Sequence, residues 1–234
     1  MKKKYSYIGI AFVILLFGIY AIPKIINTLN NDEVIKDDRL NKVEKIRKSN
    51  PSGLFQFGKV PTFEFVNQHG DTINNQTYAN KVYVVEFFFS TCPTICPIMN
   101  RKMVTIQNEF AKDDDFGIAS ISITPDIDSP KVLKEYAQRN EITHKNWHLL
   151  TGKSDEVVYS LSNKGFKLYV GKGEEEHGGF EHSGLFALVD KDGYIRSRKD
   201  EQGNPILYYR ALKESGFPDQ IKELKEDIKL LLNE

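Results

Sequence analysis

The sequence predicts an α/β fold, a mixed β-sheet flanked by helices, with an N-terminal transmembrane anchor. Three features support it: an uncharged run at the amino end, strand-like segments alternating with helical periodicity, and a hairpin signal near the carboxyl end. With 234 residues, 40% of them hydrophobic, the chain can bury one sizeable core. The 32 basic and 32 acidic residues give zero formal net charge, which disfavours nucleic acid as a partner.

The amino end has the pattern of a membrane span. Lys2, Lys3 and Lys4 precede an uncharged run over residues 5–22, and eighteen residues of helix cover about 27 Å of a hydrocarbon layer about 30 Å thick. The lysines should stay in the cytoplasm. A cleaved signal peptide is the alternative, disfavoured because the apolar run is long and no A-x-A site follows. We expect residues 1–26 to be a single-pass cell-membrane anchor, with the globular domain outside the cytoplasm, periplasmic or on the outer face.

A polar segment follows the predicted anchor. Residues 27–57 are rich in Asn, Asp, Lys and Ser, which predicts a tether. The globular domain is expected over residues 58–234. It opens with a turn-rich segment, 67–71, between Phe65 and Ile73, and this pattern predicts a β-hairpin.

Two strand and helix pairs are predicted at the centre of the domain. Residues 82–89 are apolar almost throughout, as in a strand covered on both faces. Helical spacing then recurs at Met99, Met103, Ile106 and Phe110. Residues 116–123 predict a second strand, and Ser129 with Pro130 predicts the start of a second helix. A helix between two strands implies a parallel, right-handed crossover.

Shorter elements complete the predicted domain. These are a strand over 147–150, a helix over 155–161, a strand over 166–170 and a loop over 171–179. Residues 185–189 and 194–198 flank Asp190-Lys191-Asp192-Gly193, a strong hairpin signal. A terminal helix places Ile221, Leu224, Ile228 and Leu231 on one face. This order is that of a thioredoxin-like layer, in which reactive cysteines lie at the start of the first crossover helix.

Cys92 and Cys96, the two cysteines of the chain, lie at that position. A structural disulfide would close a loop of about five residues, worth roughly 2 kcal/mol. The Cβ atoms of helical positions i and i+4 lie about 5 to 6 Å apart, against about 3.8 Å in a relaxed disulfide. Such a disulfide is expected to be strained, exposed and easily reduced.

A redox dithiol and a metal site are the other two interpretations of Cys92 and Cys96. A helix amino terminus lowers the pKa of a thiol, but redox pairs usually have two intervening residues and this chain has three. For a metal, the i, i+4 spacing predicts both sulfurs on one side of the first helical turn, facing outward. Two thiolates favour copper(I), and an added imidazole also tolerates copper(II). Zinc could use the same ligands with a water.

A histidine would have to supply the third ligand. The candidates are His69, His144, His148, His177 and His182. His182 lies just before the strand 185–189, at the edge that faces the cysteine helix in this topology. His177 is interpreted as a loop residue, although the acidic run Glu174-Glu175-Glu176 beside it could attract a cation.

The motif Cys92-Pro93-Thr94-Ile95-Cys96-Pro97, followed by His182-Ser183 and by residues 188–193, resembles the Sco/SenC family. The similarity covers roughly residues 58–232. Members of that family are membrane-anchored, thioredoxin-fold copper proteins that help to assemble the copper centre of cytochrome c oxidase. The resemblance implies that Cys92, Cys96 and His182 are copper ligands. The family often has an aspartate where this chain has Thr124, and Asp126 and Asp128 nearby are expected to be turn and helix-capping residues.

The resemblance also implies a function and partners. The protein would bind copper(I), copper(II) or both, and pass it to the copper-receiving subunit of cytochrome c oxidase by ligand exchange. A thiol reductant or a copper donor would serve the site, and the protein need not be an enzyme. The alternative is a thiol-disulfide oxidoreductase that keeps the cysteines of that subunit reduced, with Cys92 as the attacking thiol and a redox disulfide to Cys96. A peroxidase or a purely structural membrane protein are further classes.

Overall fold

The computed structural model describes residues 11, 14–18, 20, 51–173, 179–213 and 216–234. The chain divides into two compact units, Met1–Pro51 and Ser52–Glu234. In the first unit residues 11, 14–18 and 20 are helical, and the apolar side chains of Ile14, Phe17 and Tyr20 are exposed. Within the described residues, no helix combines the length and apolarity that crossing a membrane requires. Most of the predicted anchor at 5–22, and residues 27–50 of the predicted tether, lie outside the described residues.

The described part of the second unit is built from short strands and four α-helices. The strands are β1 (Phe55–Lys59), β2 (Glu64–Asn67), β3 (Thr72–Asn74), β4 (Val82–Phe88), β5 (Phe116–Ser122), β6 (Trp147–Thr151), β7 (Val170–Lys172), β8 (Phe180–His182), β9 (Leu185–Val189), β10 (Tyr194–Ser197) and β11 (Tyr209–Arg210). The helices are α1 (Cys96–Glu109), α2 (Pro130–Arg139), α3 (Asp155–Ser160) and α4 (Ile221–Leu232). The strands and helices together confirm the predicted α/β class.

The main sheet is mixed. Its strand order is β1-β10-β9-β4-β5-β6-β2-β3, and β11 also pairs with β9. Strands β4, β5 and β6 are parallel, whereas β9 runs antiparallel to β4. Every residue of β4 and β5 is buried, as expected for strands covered on both faces. The hairpins β2–β3 and β9–β10 are confirmed.

Helices α1 and α2 form the two predicted crossovers and lie on one face of the sheet. The side chain of Asn100 in α1 donates to the carbonyl of Asn140, just after α2, at 3.3 Å. Ser129 caps α2 by accepting from the N–H of Val132, and Pro130 occupies the first turn, where its missing N–H costs nothing. The cysteine-bearing end of α1 is therefore held above the carboxyl ends of the central strands.

The domain begins earlier than Gly58. Strand β1 starts at Phe55 and pairs antiparallel with β10, with Phe55 opposite Ser197. It forms the edge of the sheet, and its five residues are exposed or half-buried. Its apolar alternation is limited to Phe55 and Phe57 before Gly58, too short a run to mark a strand in the sequence, which is why β1 was not predicted.

The predicted strand over 166–170 is wrong. Residues Leu161–Phe166 continue α3 as a π-helical turn, and Lys167 ends it in the left-handed conformation with φ of 55°. The apolar residues that suggested a strand, Phe166 and Leu168, are buried because they fill the core beside this turn. Strand β7 begins only at Val170 and pairs with β8 in a separate two-stranded sheet, so that strand structure enters the predicted loop over 171–179.

Candidate metal centre

Three potential metal ligands converge at the carboxyl end of β4. The donor atoms of Cys92, Cys96 and His182 all lie within 4.8 Å of one another. In the described ranges they are the one group of at least three His, Cys, Asp or Glu side chains with such geometry. All three residues are buried, and both cysteines are free thiols.

The two cysteines do not share a helical face. Helix α1 begins at Cys96, and Cys92 lies in the preceding loop, because a residue before proline, here Pro93, is disfavoured in the α conformation. The sulfurs still approach, since the N–H of Cys96 points at Sγ of Cys92 at 3.5 Å. The expectation of outward-facing, exposed sulfurs is wrong: Cys92 is 8% exposed and Cys96 is 3% exposed.

His182 ends β8, and its ring reaches Cys96. Its Nε2 lies 3.0 Å from Sγ of Cys96, and its Nδ1 lies 3.2 Å from the carbonyl oxygen of Ser183. A carbonyl only accepts, so this bond places the ring proton on Nδ1 and leaves the Nε2 lone pair facing the thiols. The ring also packs edge-on against Phe89, with centroids 5.8 Å apart. The imidazole is therefore oriented as a ligand before any ion arrives.

A cavity of about 420 Å³ adjoins the candidate ligands. Phe89, Ile95, Tyr169 and Phe180 form its apolar and aromatic wall, beside Cys92 and His182. A larger cavity of about 630 Å³ lies between the β2 region and α3. Because that larger cavity contains none of the candidate ligands, the smaller one is the relevant site.

The two thiols differ in proton affinity. Hydrogen bonding from the side chain and the backbone N–H of Cys96 outweighs burial and lowers the pKa of Cys92 to about 3. Burial, reinforced by the neighbouring Cys92 sulfur, raises the pKa of Cys96 well above its ordinary value. The metal-free site thus holds one thiolate and one thiol at neutral pH. A soft metal that binds both sulfurs must displace the remaining thiol proton.

Asp128 supports the loop that carries Cys92, a role that the sequence did not predict. It is fully buried and accepts from the Ser90 N–H at 3.1 Å, the Ser122 hydroxyl at 2.6 Å and the Thr124 hydroxyl at 3.1 Å. The Ser90 hydroxyl also donates to it. Ser129, not Asp128, caps α2. Asp128 therefore joins the segment before Cys92 to the loop after β5, and Thr124 takes part as a donor. Its only sequence signal was an acidic residue just after a buried strand.

The remaining described histidines lie away from the site. His69 is exposed, and His148 contacts the side-chain amide of Asn67 through Nδ1 at 3.2 Å. His144 accepts from the N–H of Asn146 through Nδ1 at 3.1 Å. His177 and its acidic neighbours lie outside the described residues.

Comparisons with known proteins agree with this geometry. The SCO1/SenC family model matches residues 54–215. A SCO1 protein homolog of Bacillus subtilis is 32% identical over 168 residues, which cover 71% of this chain and 81% of that protein. The solved structure of BsSco, described as a member of the Sco family of cytochrome c oxidase assembly proteins, is 28% identical with a TM-score of 0.61. The match covers 75% of this chain and 94% of BsSco.

A copper-bound structure shares the same fold. ScoI of Bradyrhizobium japonicum, solved with copper bound, superposes with a TM-score of 0.57 at 20% identity, over 75% of this chain and all of that one. At that identity the likeness concerns the fold alone. The structural matches confirm a mixed α/β, thioredoxin-like fold. Together with the match of the family model over residues 54–215, they lead to one conclusion: the chain belongs to the SCO1/SenC family.

Proposed function

We propose that this protein binds copper through the thiolates of Cys92 and Cys96 and the imidazole of His182, and delivers it to the copper-receiving subunit of cytochrome c oxidase. The observation that carries the proposal is the convergence of the three donor atoms within 4.8 Å. Two thiolates and one imidazole form a soft set that suits copper(I) and tolerates copper(II). The oxidase-assembly role given for BsSco supports the proposal.

Delivery by ligand exchange is consistent with the surroundings of the site. The cavity beside Cys92 and His182 gives an incoming partner ligand a route to the ion. Copper keeps its oxidation state during the exchange. Each bond from copper to this chain breaks as a bond to the partner forms, and Cys96 then regains its proton because burial raises its pKa. Reprotonation of Cys96 favours release over rebinding.

Copper titration of ligand variants tests the proposal. The full chain in detergent is titrated with copper(I) against a competing chelator, and with copper(II) by absorption and electron paramagnetic resonance. Cys92→Ser, Cys96→Ser and His182→Ala should each lower copper affinity by at least about 100-fold, because each removes a donor atom. His69→Ala, an exposed histidine, is the matched control and should bind like the unmodified protein. Full affinity in the cysteine variants, or an unchanged copper(II) spectrum in His182→Ala, would refute the ligand assignment.

A thiol-disulfide reductase is the second candidate, favoured by the unequal proton affinities of the two free thiols. The Cys92 thiolate would attack a disulfide of the partner, forming a mixed disulfide and releasing one partner thiolate. Cys96 would lose its proton and attack the Cys92 sulfur, which releases the second partner thiol and leaves a Cys92–Cys96 disulfide. Cys96→Ser should then trap the mixed disulfide. This candidate would be excluded if the protein bound copper tightly and Cys96→Ser trapped no adduct with a disulfide-bonded peptide.

We further propose that residues 1–26 anchor the protein in the cell membrane and that the polar segment after them tethers the domain Ser52–Glu234 outside the cytoplasm. The lysines at the start and the uncharged run at 5–22 support this topology. In intact spheroplasts, added protease should digest the globular domain, and alkaline carbonate should not extract the protein. Placing three lysines within 5–22 should make it extractable. A protected domain would contradict the orientation, and extraction of the unmodified protein would contradict the anchor.

A further inference from the structure

We propose that Glu86, a buried residue outside the candidate ligand set, tunes which oxidation state of copper and of the dithiol the site prefers, through a negative charge that comes and goes with pH. For copper, this inference rests on the proposed function. For the dithiol, it rests on the two cysteines alone. Glu86 would thus bind neither the copper nor the thiols and would act on the site through its electric field.

Glu86 lies in the central strand, below the start of the cysteine helix. It is 4% exposed and shares a face of β4 with Phe88, because alternate side chains of a strand point to the same side. The ring of Phe88 packs against Tyr136 of α2 at 5.4 Å, while Phe87 on the opposite face packs against Phe166. The carboxyl of Glu86 therefore points toward the layer formed by α1 and α2, the layer that carries Cys96.

One hydrogen bond connects the Glu86 carboxyl to its surroundings. The hydroxyl of Ser120, directly opposite on β5, donates to it at 2.6 Å. The same hydroxyl accepts from the indole N–H of Trp147 at 2.9 Å, so its proton is committed to Glu86. Within the described residues no basic side chain forms an ion pair with Glu86. Among the described residues, no cation therefore neutralises a negative charge on this carboxylate. The charge can then act on other ionisable groups in the low-dielectric interior.

The negative charge of ionised Glu86 acts on two other titratable groups. Ionised Glu86 disfavours the thiolate of Cys96 on α1 and the phenolate of Tyr136 on α2. Strands β5 and β9 offer no titratable side chain, and His148 of β6 is engaged with Asn67. On α4 the buried Asp227 is paired with Arg198. The charge of this carboxyl is therefore coupled both to Tyr136 and to the sulfur site.

Glu86 changes charge in the physiological range. Burial raises its pKa to about 7, against the opposing effect of the Ser120 hydrogen bond. A site of two thiolates and copper(I) carries one net negative charge, whereas the same site with copper(II) is neutral. The thiolate and thiol pair likewise carries one negative charge, and the disulfide carries none. Ionised Glu86 therefore disfavours copper(I) and the reduced dithiol, and protonated Glu86 removes that penalty.

Redox titrations of copper across pH test the inference. The midpoint potential of bound copper is measured on the full chain in detergent from about pH 5.5 to pH 8.5. This range brackets the pKa of Glu86, which is about 7. At the alkaline end Glu86→Gln should raise the ratio of copper(I) to copper(II) affinity about tenfold, which is about 59 mV for one electron. At the acidic end it should differ little from the unmodified protein, since Glu86 is then neutral in both.

Two further variants separate this role from a structural one. Ser120→Ala removes the bond that lowers the pKa of Glu86, so it should keep the pH-dependent change and move its midpoint to higher pH. It also keeps the test decisive if Glu86→Gln fails to fold. Glu109→Gln lies on α1 but pairs at the surface with Lys225 and Lys229, and should leave the pH profile unaltered.

The outcomes are distinct for the inference and for the proposed function. A Glu86→Gln profile that matches the unmodified protein at every pH, or an unmoved midpoint in Ser120→Ala, would overturn the inference. Absence of copper binding by the unmodified protein would overturn the proposed function instead. If the unmodified protein binds no copper, the dithiol–disulfide potential of the same variants tests the inference. Compared with the unmodified protein, Glu86→Gln should favour the reduced dithiol at alkaline pH and differ little at acidic pH.

Discussion

Replacing Asp128 should loosen the segment that presents Cys92. Four hydrogen bonds converge on this carboxylate, from the Ser90 N–H and from the hydroxyls of Ser90, Ser122 and Thr124. Asp128→Ala would leave those donors buried without an acceptor. Loss of one partner of a buried charged network costs about 3 to 5 kcal/mol, a large part of the stability of an ordinary domain.

Chemical denaturation followed by circular dichroism measures this loss. The free energy of unfolding of Asp128→Ala should fall by about 3 to 5 kcal/mol, whereas the matched control Asp126→Ala should stay within about 0.5 kcal/mol, since Asp126 is exposed. Asp128→Asn should lie between them, because the amide keeps one accepting oxygen. Copper affinity of Asp128→Ala should also fall, since Ser90 and Cys92 are two residues apart. Equal stabilities of Asp128→Ala and Asp126→Ala would refute this account of the network.

Three further predictions concern the thiols, the buried acid and a helix cap. Because hydrogen bonding lowers the pKa of Cys92 to about 3, alkylation of Cys92 followed by mass spectrometry should change little between about pH 5 and pH 8. Cys96 should react slowly throughout, and an ordinary steep rise of the Cys92 rate with pH would contradict this. Burial raises the pKa of Glu86 to about 7, so its contribution to folding is complete below the unfolded value near 4.5 and is lost as pH rises through 7. The unfolding free energy of the unmodified protein minus that of Glu86→Gln should therefore fall by up to about 3 kcal/mol on going from acidic to alkaline pH, and a constant difference would exclude the shift. Ser129→Ala should lower the unfolding free energy by about 1 kcal/mol through loss of the α2 cap, and no measurable loss would mean that the Ser129 bond to Val132 does not stabilise the helix.

Local patterns in the sequence predicted the centre of the fold well. The apolar run before the cysteines is the fully buried β4, and the spacing of Met99 and Met103 marks the buried face of α1. Ser129 and Pro130 correctly marked the start of α2. These features depend on periodicity, capping and proline geometry. Each of these acts over a few residues, so it can be recognised in the sequence.

The edges of the fold were predicted less well, for reasons of length and burial. Strands β1, β8 and β11 contain five, three and two residues, too few for a periodic signal. The segment with Phe166 and Leu168 was wrongly predicted as a strand, because a buried turn and a buried strand have the same apolar composition. Pairing partners across the sheet decide between those two outcomes, and a local pattern does not contain them.

By itself the sequence determined which groups form the site: two thiols four residues apart between a buried strand and a helix, and a family motif that singled out His182. Tertiary structure alone decided that His182, 86 positions from Cys96, brings Nε2 to 3.0 Å from its sulfur. It also decided that both thiols are buried, that Asp128 holds the loop before Cys92, and that Glu86 lies beneath the site. Spacing along the chain fixes which groups are neighbours over one or two turns. Contacts between distant residues arise only when strand pairing and core packing close the intervening chain.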